Sequence, residues 1–144
     1  MTEGFKHSVS VAGVVVDGAG RALLVRRRDN GHWEPPGGVL ELAESIPEGL
    51  RREVREETGL EVEPERLTGV YKHMTRGIVA MVFRCRVTAG HLAVGPESAA
   101  FRWVEPAEAR ALADEAFAIR VLDALNEPPC AAPAVREHDG VNLL

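Results

Sequence analysis

Residues 45–60, SIPEGLRREVREETGL, constrain the fold of this chain most, because both ends and both faces of a helix can be read from them. Ser45, followed three residues later by Glu48, fits a capping box, and Pro47 is tolerated in a first helical turn. Gly59 can take the left-handed conformation that closes a helix, with Leu60 supplying the apolar contact that accompanies it. The spacing predicts a helix over residues 46–58, with Ile46, Leu50 and Val54 as the stripe to be buried. Glu53, Glu56 and Glu57 stand at i, i+3 and i+4, and like charges so spaced repel by a few tenths of a kcal/mol per pair. Arg51 and Arg55 fall on another side, and Arg52 can reach Glu48 or Glu56. Solvated helix faces normally mix signs, so the crowding points to a hard divalent cation held by carboxylate oxygens.

The layer that covers the stripe is read from apolar runs. SVSVAGVVV (8–16) and ALLVRRR (22–28), joined by DGAG, predict two strands in a short-loop pair. DNGHWEPPGG, rich in Gly and Pro, predicts a loop. GIVAMVFRCRV (77–87) predicts a strand buried on both faces, with Val79, Met81, Phe83, Cys85 and Val87 on one and Ile78, Ala80 and Val82 on the other. AAFRWVEP predicts a further short strand, and DEAFAIRVLDAL a second amphipathic helix with Phe117, Val121, Leu122 and Leu125 inward. Residues 127–144 change character and read as a tail or an edge-pairing segment. A length of 144 residues with 45% hydrophobic content fits one domain with one core.

The wider stretch GVLELAESIPEGLRREVREETGL (38–60) matches G-x5-E-x7-R-E-U-x-E-E-x-G-U, with U a bulky aliphatic, at every fixed position. This resembles the Nudix hydrolase family, and the likeness extends to LLVRRR, to WEPPGG and to residues 8–126 as a whole. The resemblance implies an α/β fold, an α/β/α sandwich with a mixed sheet and two main helices over residues 1–126. It implies hydrolysis of a nucleoside diphosphate linked to another group, with Mg²⁺ or Mn²⁺. Carried over position by position, Glu53, Glu56 and Glu57 are the metal and base carboxylates, Arg52 and Glu44 brace loop against helix, and the Gly37 carbonyl is a further ligand candidate. The implied chemistry is attack of water on a phosphorus of the diphosphate bridge, with Glu53 the first choice of base and Glu57 or Glu97 the alternatives. Ala43 and Gly49 depart from the residues common at those positions, and a mid-helix glycine costs about 1 kcal/mol against alanine.

Outside the box, Arg26 and Arg28 share one side of a strand end, where a guanidinium fork suits phosphate. Glu97, six residues before Trp103, is a candidate extra carboxylate, and Glu41 a weaker one. Trp33 and Tyr71 are candidates for stacking on a base, although aromatics at strand ends more often close a core. Of the five histidines only His73 is expected to border the cleft, the others being read as surface residues.

A nucleoside triphosphate, canonical or oxidised, is the favoured substrate, because neither the proline of ADP-ribose hydrolases nor the tyrosine of diadenosine-polyphosphate hydrolases stands at its place beyond the box. A nucleotide-sugar pyrophosphatase and a non-catalytic Nudix-like ligand-binding module are the alternatives. The net charge of −5 gives no general attraction to nucleic acid polymers. Two distant cysteines suggest neither disulfide nor thiolate metal site, and no run suits a signal or membrane span, so a soluble cytoplasmic protein acting on small nucleotides is expected, a homodimer being left open.

Overall fold

A computed structural model describes residues 5–126 and 132–144. Nine-residue β1 (Ser8–Val16) is the centre of the sheet, paired in parallel along its whole length with β6 (Ile78–Gly90). Its other edge meets β2 (Ala22–Arg27) through Val16↔Ala22, after the DGAG turn, and β4 (Gly37–Val39) through Ser10, Val11 and Ala12. β2 in turn pairs with the two-residue β3 (Trp33–Glu34) and, along its length, with β7 (Ser98–Val104). On the far side β6 carries β5 (Leu60–His73), and β5 carries β8 (Ala134–His138) in parallel at the edge. The sheet is therefore mixed.

Alternation along β1 divides the core into two layers. Val11 and Val15 point to α1 (Ile46–Thr58), where they meet Leu50, Val54, Leu60, Val62 and Cys85. Ala12 and Val14 point the other way, to Tyr71, Val82, Val121 and Ala124. That second layer is covered by α2 (Pro106–Leu112) and α3 (Glu115–Leu125), giving the α/β/α sandwich. A methyl group added at Gly13 would stand 3.2 Å from both Val54 and Cys85, so this glycine lets α1 lie close on the sheet.

The helix bounds agree with the caps: Ser45 Oγ accepts from the Glu48 amide at 3.3 Å, and Gly59 takes φ 81°. Four features differ from expectation. The two main helices are joined by a third, α2, a seven-residue helix that buries only Ala109 and so has almost no apolar stripe to read. The Gly-Pro loop contains the short strands β3 and β4. Residues 60–73, to which no element was assigned, form the longest strand, whose Pro64 and Gly69 sit at register shifts in the pairing with β6. On α3, Phe117 is turned out of the core, which takes Ala116, Arg120, Val121 and Ala124 instead. Cys85 is a buried free thiol, and Cys130 lies outside the described residues.

Candidate active site

Arg52 organises the acidic helix face. Its Nε and Nη2 donate to the two carboxylate oxygens of Glu44 at 2.9 and 2.7 Å, and Nη2 also reaches the Val39 carbonyl at 3.3 Å. The fork thereby ties the 40–45 loop to α1, the geometry in which an arginine–carboxylate pair is strongest. Its Nη1 donates to Glu53 at 2.9 Å and Glu56 at 3.1 Å. Arg52 thus reaches Glu56, one of the two partners its helix spacing allows, and lies on Glu44 rather than Glu48 because the loop folds back over the helix N-terminus. Gly49 makes room for that fold: a Cβ there would lie 2.5 Å from Leu40 Cδ1 and 2.8 Å from Glu44 Oε1. The pairing with Arg52 holds the Glu44 carboxyl well below its usual range. Glu41 stays exposed, 4.0 Å from Arg52.

Among the described residues Glu57 has no such cation bonded to it. Its carboxylate accepts from the Gly37 amide at 3.3 Å, and burial pushes its pKa up to about 8, with Glu53, Glu34 and Glu97 adding to the rise. Burial also raises Glu53, partly offset by Arg52. The register of β4 explains why Gly37 faces this group. Gly13 takes the Pro36 carbonyl and Leu40 takes that of Val9, so the intervening Ala12↔Gly37 position is a non-hydrogen-bonded one. Both polar groups of Gly37 then point away from β1, toward the side where Glu57 stands. A Cβ on Gly38 would lie 2.5 Å from the Glu53 carboxylate, so the two glycines bring bare backbone up to the acidic face.

Carboxylate and carbonyl oxygens are the donors that Mg²⁺ and Mn²⁺ prefer, and a desolvated Glu57 among other carboxylates lacks the positive charge such an ion brings. The residues present fit the ion. Among the described residues no three ligating side chains are already gathered around one point, because Arg52 holds Glu53 and Glu56. Arg52 meets Glu53 through Oε1 and Glu56 through Oε2, so each carboxylate keeps a second oxygen that an ion could take.

A cavity of about 490 Å³ lies on the α3 side of the sheet and reaches the box through Gly37, Gly38 and Val39. The other candidates are placed against it unevenly. His73 lines it, as expected, and so do Arg27 and Glu34, whereas Arg26 and Arg28 do not. The correction has a cause in the backbone: a register shift between Arg26 and Arg27 breaks the alternation assumed for the strand end. Arg27 is bound to Asp29 at 2.7 Å and to Glu34 at 3.0 Å. Trp33 packs against the core layer under α3. Tyr71 is fully buried, its hydroxyl donating to Asp123 at 2.7 Å, so its ring is not open to a base, whereas Trp33 is half-buried. Glu97 has an exposed side chain, and its carbonyl accepts from the Arg28 amide at 3.0 Å. Reading the sequence missed Glu34, Phe117, Arg120 and His138, all of which line the cavity. The WEPP segment could have suggested Glu34; His138, read as a surface histidine, is buried by the pairing of β8, which no local pattern announces.

A family model described as the NUDIX domain matches residues 6–125. The chain is 56% identical over 138 residues to a MutT-like protein of Streptomyces ambofaciens, covering 96% of this chain and 88% of that one. It is 33% identical over 101 residues to an ADP-ribose pyrophosphatase of Methanocaldococcus jannaschii, covering 65% of this chain and 60% of that one. Among solved structures, a MutT protein from Methanosarcina mazei superposes with a TM-score of 0.72 at 27% identity, covering 84% of this chain and 94% of the other. An ADP-ribose pyrophosphatase from Streptococcus suis gives a TM-score of 0.77 at 20% identity, covering 92% and all of its chain, a likeness of fold. No helix among the described residues is long and apolar enough to cross a membrane.

Proposed function

This chain belongs to the Nudix hydrolase family, and from that premise we propose that it cleaves the diphosphate of a nucleoside triphosphate in a reaction dependent on Mg²⁺ or Mn²⁺. The observation that supports this best is the Glu57 carboxylate, buried beside Glu53 and the Gly37 backbone with no basic side chain bonded to it among the described residues. Glu53, Glu56, Glu57 and the Gly37 carbonyl would hold the ion, with Glu97 at the exposed margin. When bound, the ion would neutralise the charge that builds on the phosphate oxygens. The bare backbone of Gly37 and Gly38 admits the diphosphate close to the carboxylates. Glu53, whose proton affinity is raised by burial, takes the proton of the attacking water as its oxygen bonds to phosphorus and the bridging P–O bond breaks. Arg52 positions Glu53 and, through Glu44, the loop that precedes the helix.

A nucleotide sugar is the second reading, favoured by the likeness to the Methanocaldococcus protein. The test is a panel of nucleoside triphosphates and nucleotide sugars, assayed for released phosphate or pyrophosphate with Mg²⁺ and with Mn²⁺. Turnover should stop in excess chelator, and Glu53→Gln should lower kcat by roughly 10² to 10⁴, the range for loss of a general base. Undiminished turnover in chelator would remove the ion from the reaction, and near wild-type turnover of the variant would move the base to Glu57 or Glu97. Binding without turnover across the panel would leave a ligand-binding module.

A further inference from the structure

The two faces of the sheet are covered unequally. Helices α2 and α3 lie on one; on the other α1 is the one helix among the described residues, and it sits over β1, where Gly13 lets Leu50 and Val54 come down beside Cys85. The strand registers carry this second face past α1 to the sheet edge. Val11 stands beside Met81, Met81 beside Val70, and Val70 beside Val135. In the next row Val9 stands beside Val79, Val79 beside Lys72, and Lys72 beside Glu137. Residues so paired share a face, and the intervening Tyr71 and Arg136, which point to α3, fix the parity. Val9, Val70, Val79 and Val135 belong to neither core layer. Val135 is 76% and Val9 37% exposed, while Val70, Val79 and Met81 are half-buried. Where α1 packs on β5 it does so at the other end of that strand, through Leu60 and Val62. Apolar side chains thus run from the central strand to the edge without a cover among the described residues, and extended patches of this kind mark interaction sites.

What the face takes is read from its borders and its charges. Extension of the sheet by pairing at its outermost strand is hindered, because the C-terminus folds back on β8: the Leu144 amide donates to the Glu137 carbonyl at 3.0 Å, and Leu143 forms a bridge pair with His138. That leaves the flat face, a shape matched by a second sheet laid on it. The charged residues in the two rows are Lys72 and Glu137, side by side, so the patch has no net charge, and the chain as a whole carries −5. An anionic lipid surface or a nucleic acid finds no attraction there. A lysine and a glutamate set together are instead self-complementary. In a two-fold pair, where one patch meets its own copy, each Lys72 can face the other chain's Glu137.

We propose that this face, centred on Val70, Met81 and Val135, is the interface of a two-fold dimer of the chain. The acidic residues lie on the other side of β1, toward β4 and β7, so the dimer and the hydrolase reading stand or fall separately. Sedimentation equilibrium of the full chain tests it: between about 1 and 100 µM, the span of modest association constants, the wild type should have the mass of two chains. Val135→Lys sets a charge in the middle of the face at a side chain that is already exposed, and should weaken association about tenfold or more. Lys72→Glu and Glu137→Lys should each associate more weakly than wild type, because like charges meet across the axis, and an equimolar mixture of the two should associate again as a mixed dimer. Within one chain each substitution has the same local cost mixed or unmixed, so recovery on mixing isolates the contact between chains. The charge pair keeps the test open where Val135→Lys does not fold. A wild type that stays monomeric at the upper concentration, a Val135→Lys protein that associates as the wild type does, or mixing without recovery would each overturn the proposal. So would a monomeric chain that co-sediments with phosphatidylglycerol vesicles, which would make the face a lipid-docking surface.

Discussion

At the scale of single residues, Glu57 concentrates the conflict between stability and chemistry. Its carboxylate is buried against Gly37 with Glu53, Glu34 and Glu97 near, and the metal-free protein carries the cost of that burial. Glutamine is nearly isosteric and keeps an oxygen to accept the Gly37 amide. Glu57→Gln should therefore leave metal-free stability unchanged or raised, by some tenths of a kcal/mol per relieved pair. Turnover should fall nonetheless. Mg²⁺ should raise the wild-type melting temperature through preferential binding to the folded state, and raise that of the variant less at the same concentration. Paired melts with and without Mg²⁺ check this; a marked loss of metal-free stability with an unchanged Mg²⁺ response would make Glu57 a structural residue. Arg52 shows the opposite case. The same repulsion at Glu53 and Glu56 is relieved by one guanidinium, so a poorer test is obtained there.

At the scale of elements, β4 is three residues long, yet it places bare backbone between the central strand and the acidic helix. The two glycines in it should answer differently to a methyl group. At Gly37 the added carbon would stand 2.4 Å from the Val11 carbonyl oxygen and 2.7 Å from the Ala12 Cα, backbone atoms of the central strand that cannot yield. At Gly38 the nearest atoms it would meet are those of the Glu53 carboxyl tip, the far end of a flexible side chain. Gly37→Ala should cost on the order of 1–3 kcal/mol or more in urea unfolding, the range for overpacking. Gly38→Ala should unfold close to wild type while its turnover drops, because Glu53 is displaced. The reverse order would show that β4 is not the support described. What was legible in the sequence follows the same division between local and distant causes. Helix α1 could be bounded to the residue because Ser45, Gly59 and the Leu50–Val54 stripe are local signals. β1 and β6 were visible as apolar runs buried on both faces. β5 was not, since charged residues, Pro64 and Gly69 interrupt it and its pairing partners are remote in sequence. The Glu44–Arg52 clamp came from the family resemblance alone, and Arg120 was hidden between Ile119 and Val121 in a helix that reads as apolar.

At the scale of the whole molecule, the C-terminal residues complete the cavity wall. β8 lies parallel to β5, the Ala116 amide donates to the Val141 carbonyl at 2.9 Å, and the Leu143 amide to Glu115 at 2.6 Å, so the segment bridges the sheet edge and α3. The bridge seats His138 where Arg120, His73 and Asp139 act on it, and burial, followed by Arg120 and His73, depresses its pKa to about 4. The sign of the consequence is fixed by that depression. Between the unfolded value of about 6.5 and the folded value of about 4, the unfolded chain binds the proton more, so folding stability increases with pH. The contribution is complete above about pH 6.5 and is lost as pH falls toward 4, with an upper bound of roughly 3 kcal/mol. Other carboxylates titrate in or below this window and Glu57 acts in the opposite sense, so the quantity to measure is a difference between proteins. His138→Gln removes this titration while leaving the rest in place. Urea unfolding of both proteins in chelator from pH 4.5 to 7.5 should show the stability of the wild type over the variant rising to about pH 6.5 and flat beyond. A difference that does not vary with pH would mean that His138 is hydrated and already charged at the acid end, and that the C-terminal strand does not seal this side of the cavity.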